Sequence, residues 1–194
     1  PLIDLGVHIL DMGLYLLGEP AAVTVSGATY AELGPRGRGE NIFSLTPKQR
    51  VGSAYEVEDL ATAFIRFADG ATMLLEASWA VYGGMGDDYG VTLFGTEGGA
   101  EIKVLNYGWE DTLRLFTDVA GTPAVVAPRV RRGEGHLKVV RDFVGIVRGG
   151  DWAGHHGEEG LRRSEISDAC YASARTGREV VLGEGTAREG QAAG

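Results

Sequence analysis

Four residues near the start of the chain have the types and spacing for acid–base chemistry. On a helix advancing about 100° per residue, Asp4, His8, Asp11 and Tyr15 fall at about 0, 40, −20 and 20 degrees and form one narrow polar stripe. Histidine titrates near neutral pH and a neighbouring carboxylate orients and tunes it, so an Asp–His pair at this spacing can exchange a proton with a substrate hydroxyl. Two other readings stand beside that one. The pair could be a buried, mutually hydrogen-bonded contact that fixes packing. Asp and His one turn apart could also share a metal ion, but no further ligand set accompanies them and no metal site is assigned.

The rest of this segment is apolar: Leu2, Ile3, Leu5, Val7, Ile9, Leu10, Met12, Leu14, Leu16 and Leu17. The pattern predicts a helix over 2–17, apolar on most of its circumference and therefore buried, whose polar stripe pairs internally or lines a cleft. Gly18-Glu19-Pro20 ends it, since glycine suits a left-handed cap and proline cannot continue a helix. A second histidine cluster, His155-His156-Gly157-Glu158-Glu159, lies at a loop-to-helix junction. Acidic residues there suit the helix dipole, and the two histidines are candidates for substrate contact or adventitious metal. His136 also opens a helix, and Cys170 faces inward as a packing residue.

The elements that must position these groups follow from periodicity. Residues 23–29 alternate as a strand, and 33–53 turn to Gly, Pro, Arg, Lys and Ser with little pattern, a long loop or insertion. Apolar runs at 59–67 and 71–79 meet at Asp69-Gly70, a strong hairpin signal. Strands at 89–95, 100–105 and 112–117 extend an antiparallel meander, one face of which carries Thr92, Glu101, Lys103 and Arg114. Helices are predicted at 136–148, with Leu137, Val140, Val144 and Val147 in phase, and at 158–175, with Leu161, Ile166, Ala169 and Ala172 inward. A short strand at 179–182 precedes a tail, 184–194, with no apolar face, which is expected to be disordered. The order defines an α+β fold, an open, largely antiparallel sheet with helices packed on one face, forming one domain over 1–183.

The chain has 194 residues, 44% hydrophobic and 23% charged, an ordinary globular composition. Its 31 glycines have no collagen-like period and mark turns. A net charge of −9 disfavours nucleic acid and anionic membrane as partners. No run approaches the roughly 20 apolar residues that span a bilayer, and Pro1-Leu2-Ile3-Asp4 lacks the basic start of a secretory signal, so a soluble, cytoplasmic protein is expected. The lone Cys170 excludes an internal disulfide and a cysteine-rich zinc site. No G-x-G-x-x-G, Walker loop, nucleophile elbow or H-E-x-x-H occurs.

Asp4-Leu5-Gly6-Val7-His8-Ile9-Leu10-Asp11, followed by Tyr15-Leu16-Leu17-Gly18, resembles the D-x-x-x-H-x-x-D helix that opens the C-terminal domain of the Gfo/Idh/MocA oxidoreductases, the glucose–fructose oxidoreductase and inositol dehydrogenase superfamily. Three later segments resemble the same family in the same order: Val57-Glu58-Asp59 through Phe67-Ala68-Asp69-Gly70-Ala71 to Ser78-Trp79; Leu93-Phe94-Gly95-Thr96-Glu97-Gly98-Gly99; and 157–166 leading into Ala172-Ser173-Ala174-Arg175-Thr176-Gly177-Arg178. The resemblance implies an N-terminal Rossmann domain binding NAD or NADP, and a C-terminal domain giving substrate contacts and oligomer interfaces. Carried over by position, Asp4 and His8 bind substrate, Asp4 orients, and His8 is the acid/base. Asp11 matches the motif in a structural role, and Tyr15 is a further substrate contact.

The lysine motif and the whole nucleotide domain of that family are absent from these residues. The expectation is therefore an excised or proteolysed half of a dehydrogenase, which alone binds no dinucleotide and turns over nothing. Its expected partners are the missing Rossmann domain, a sugar or polyol, and further copies of itself through the open sheet face. The resemblance also admits a non-catalytic, nucleotide-dependent regulator or an NAD-dependent glycosidase.

Overall fold

A computed structural model of the chain describes residues 1–36, 38–39, 56–83, 86–150, 152–154 and 157–183. His155 and His156, most of the expected 33–53 loop and the 184–194 tail lie outside the described residues. In chain order the elements are a π-helical turn Leu2–Gly6, α1 Val7–Leu17, β1 Ala22–Tyr30, a 3₁₀ turn Gly34–Arg36, β2 Leu60–Phe67, β3 Thr72–Ser78, β4 Tyr89–Phe94, β5 Gly99–Val104, β6 Leu113–Val119, β7 Thr122–Val126, α2 His136–Gly149, α3 Glu158–Thr176 and β8 Val180–Val181. The fold class is the expected α+β. The expected single meander instead divides into two four-stranded sheets, β3-β2-β1-β8 and β4-β5-β6-β7, antiparallel throughout. They belong to two compact units, Pro1–Gly86 with Glu159–Gly194, and Asp87–Glu158.

The first unit holds the core. Ala61, Ala63, Ile65 and Phe67 of β2 and Leu75 and Ala77 of β3 are buried on alternate positions, while Leu74, next to Leu75, is 84% exposed. Leu10 and Leu14 of α1 and Ile166, Ala169 and Cys170 of α3 complete the same cluster, so one face of the sheet is covered and the other is open. The predicted hairpin forms: the Phe67 N–H donates to Ala71 O at 2.9 Å, and the Asp69 carboxylate accepts the Ala71 N–H at 3.0 Å around Gly70, whose φ is +89°. Asp59, 2% exposed, ties the chain after β1 to the start of β2. Its Oδ2 accepts the Leu33 and Gly34 N–H groups at 2.6 and 3.0 Å, and its own N–H donates to Tyr30 O at 2.8 Å.

Three expectations are corrected. The first helix opens with a wide turn in which the Gly6 N–H reaches back five residues to Pro1 O at 2.9 Å. That helix is also not buried all round: Leu2, Leu10 and Leu14 face the core, whereas Ile3, Leu5 and Leu16 are exposed beside the polar stripe. Packing against a single sheet covers one side of a helix, so apolar composition on the far side does not bury it. In α3, Leu161 is exposed, because the inward stripe begins at Arg163 and runs through Ile166, Ser167 and Cys170.

The second unit is a four-stranded meander with α2. The expected strand at 112–117 continues to Val119 and turns back through Ala120 and Gly121, with φ of +52° and +76°, into β7. A turn with both central residues left-handed is ordinarily marked by Asn or Asp before Gly, and alanine at position 120 hid it. Phe94, Gly99, Phe116 and Val125 stand in register across the four strands, with Phe94 94% exposed. The helix α2 forms over the expected residues and buries none of them; Leu137, Val140, Phe143 and Val147 are all exposed.

Candidate functional site on the first helix

The expected stripe is present. Asp4 sits in the π-helical turn, His8 and Asp11 on α1, and Tyr15 one turn on, and all four are exposed on the side away from the core. Asp4 and His8 make no side-chain hydrogen bond among the described residues, so the buried, mutually bonded Asp–His contact is not formed. Asp11 is different. Its Oδ1 accepts from Arg163 Nε of α3 at 2.8 Å.

Arg163 is 5% exposed and is held on every side. Besides Asp11 it donates from Nη1 and Nη2 to the two oxygens of Glu19, at 2.6 and 2.5 Å, and from Nη1 to the Glu159 carbonyl at 3.1 Å. A guanidinium fork on a carboxylate is the strong form of such pairing. Hydrogen bonding to Glu19 and then to Asp11 outweighs burial and keeps the guanidinium firmly charged. Arg163 in turn pulls the Glu19 carboxyl below its ordinary range, with Arg162 assisting from 3.9 Å. Glu19 lies just past Gly18, whose φ of +80° makes the predicted left-handed cap.

A second attachment holds the π-helical turn. Glu58 Oε1 accepts the Leu2 N–H at 2.9 Å and the Tyr171 hydroxyl at 2.7 Å. Burial by itself would raise the Glu58 carboxyl, but these donors overcome it and bring the group down to about 2. The Tyr171 phenol is pushed up by burial and by the Glu58 carboxylate. Arg163 thus holds Asp11 of α1 and Glu19 just past its end, and Tyr171 holds the preceding turn through Glu58, so α3 fixes the first helix at two places.

Sequence reasoning found the stripe and missed these holders. A signal existed for Arg163, which stands in phase with Ile166, Ser167 and Cys170 on the inward stripe of α3. Arginine on a buried stripe demands an acidic partner. Among the described residues no group of three or more His, Cys, Asp or Glu side chains could hold a metal ion, and no helix is long and apolar enough to cross a membrane. Every strand pairing among the described residues is antiparallel.

The GFO/IDH/MocA C-terminal domain profile matches residues 1–101, and the chain belongs to that family of oxidoreductases. It is 27% identical over 183 residues to D-glucoside 3-dehydrogenase of Escherichia coli (strain K12), covering 94% of this chain and 48% of that protein. It is 24% identical over 197 residues to D-apiose dehydrogenase of Rhizobium rhizogenes, covering 93% of this chain and 48% of that protein. A levoglucosan dehydrogenase solved in complex with NADH and levoglucosan shares the fold, with a TM-score of 0.65 and 23% identity over 92% of this chain and 49% of that one. The chain thus spans about half the length of the relatives it matches.

Proposed function

We propose that residues 1–183 are the substrate-binding and oligomerisation domain of an NAD(P)-dependent oxidoreductase that transfers hydride between a sugar or polyol hydroxyl and the nicotinamide. The observation that carries this reading is the open Asp4–His8 face of the first helix, held from behind by Arg163 and Glu58, in a chain of this family. Relatives that act on glucosides and apiose support a polyhydroxylated substrate. In the oxidising direction His8 accepts the proton of the reacting hydroxyl, while Asp4 accepts a hydrogen bond from the substrate and orients it. Tyr15, 73% exposed on the same side, offers a further hydroxyl, and His155 and His156 are further candidate contacts.

A nicotinamide, when bound, accepts the hydride, and it would be held outside these residues. This chain alone is therefore expected to bind no dinucleotide and to be inactive. The open face of the first sheet, with Leu74 exposed and Arg66 stacked 4.8 Å over Phe64, is where copies of the chain would meet. The deciding experiment is sugar oxidation by the full-length protein with His8→Ala and Asp4→Asn. Losses of about 10²–10⁴-fold in turnover are expected for a proton-transfer group. Turnover of His8→Ala within about tenfold of the parent would overturn the role, and nicotinamide reduction by the 194-residue chain alone would overturn the division of labour.

A further inference from the structure

The strand register sorts the open face of the first sheet into rows. Ser26, Phe64 and Leu74 lie side by side across β1, β2 and β3 as a middle row. On one side of it run Thr24, Arg66 and Thr72, and on the other Ala28, Thr62 and Glu76. The two flanks differ in relief. The first is raised, with the Arg66 guanidinium standing 4.8 Å over the Phe64 ring. The second is hollow: a cavity of about 570 Å³ is lined by Ala28, Thr62 and Glu76 together with the middle row, and by nothing from the Arg66 row. Arg178 and Glu179 also border it and contribute opposite charges. Arg66 and Glu76 are both exposed, and neither makes an ion pair among the described residues. Arg66 stands two alternate positions along β2 from Thr62, which faces Glu76. That is about 14 Å of strand, too far for the two charges to pair within one chain.

We infer that two copies of the chain close on this face about a two-fold axis running across the strands along the Ser26–Phe64–Leu74 row, each copy seating its Arg66 in the other's hollow against Glu76. Such an axis lays the middle row on itself and exchanges the flanks, so the raised side of one copy covers the hollow side of the other, twice over. Leu74, 84% exposed in the single chain, then leaves water together with Phe64. The partner's Glu76 carboxylate and Thr62 hydroxyl offer the acceptors that a guanidinium needs when it is desolvated. A two-fold running along the strands does the opposite, because it keeps each row facing itself. Glu76 would then meet only Ala28, Thr62 and Glu76, a row with no cation, and both charges would be buried unpaired. The charges therefore select the direction of the axis. The inference rests on the reading of this face as the place where copies of the chain meet, and adds how they meet.

The test is sedimentation equilibrium of the full chain and its charge variants, with circular dichroism to confirm the fold. The parent is expected to be a dimer. Arg66→Glu and Glu76→Arg should each weaken it by about tenfold or more, and the two together, which restore the pair with its signs exchanged, should return it to within about threefold of the parent. Leu74→Asp should give monomers. These side chains are exposed in the single chain, so the variants keep the fold. A double variant no tighter than the singles would overturn the pairing. Dissociation by Leu74→Asp with no effect of either charge reversal would overturn the axis and leave the face as the meeting place. A dimer that survives Leu74→Asp, or a parent that stays monomeric, would end both.

Discussion

Cys170 of α3 lies directly on Gly27 of β1: a Cβ at position 27 would stand 2.5 Å from the cysteine sulfur and 2.8 Å from its carbonyl oxygen. The same glycine donates its N–H to Ser173 Oγ at 2.9 Å, and that hydroxyl donates onward to Arg178 O at 2.7 Å. The short β8 pairs only with Thr24 and Val25, so α3 supplies the partner that the edge of β1 lacks at Gly27.

Gly27→Ala should therefore force helix and strand apart. Overpacking of this kind costs about 1–3 kcal/mol, and chemical denaturation would read it as a lower midpoint with an unchanged slope. Unchanged stability would mean that α3 shifts freely over β1.

Glu58 makes acid stability a property of the first helix. Its carboxyl sits at about 2 against 4.5 for the free group, so the native state favours the ionised form. The stabilisation is complete above about pH 4.5 and is lost as pH falls toward about 2. Glu58→Gln should be less stable than the parent at pH 7, with the gap closing over that window in denaturation measured by circular dichroism. A gap independent of pH would contradict the assignment.

Cys170 is 1% exposed, and burial first, then the Glu58 charge, raises its thiol. A thiol is reactive as the thiolate, so a disulfide reagent should modify Cys170 only as fast as the native state opens, and immediately in denaturant. Stoichiometric labelling of the folded chain within seconds would disprove this.

Leu10 and Val140 are both apolar helical residues, and their surroundings set them apart. Leu10 of α1 is wholly enclosed, whereas Val140 of α2 is 59% exposed. Leu10→Ala should cost about 2–5 kcal/mol and Val140→Ser no more than about 0.5 kcal/mol, as read from thermal unfolding of the two variants.

Much of this was legible beforehand, because each legible feature was local. The Asp69-Gly70 hairpin, the Gly18 cap, and the alternation that buries Leu75 and exposes Leu74 depend on neighbours a few residues away. The Asp4, His8, Asp11, Tyr15 stripe needed only helical spacing. What escaped depended on distant partners. Periodicity could not tell that the strand after Asp87 leaves the first sheet, nor that Glu58 and Tyr171, 113 residues apart, would meet beneath Leu2. Nor could it tell which flank of an apolar helix the sheet would cover, and α2 kept its predicted stripe without burying it.

Asp59 carries a consequence for how this fold can vary. Its carboxylate and backbone close the gap between Leu33 and the start of β2, so these two points of the chain are held together whatever lies between them. Once such ends are pinned, doubling the length between them costs only about 0.6 kcal/mol of closure entropy. Closure of the gap therefore depends on Asp59 more than on the length of chain between Leu33 and β2.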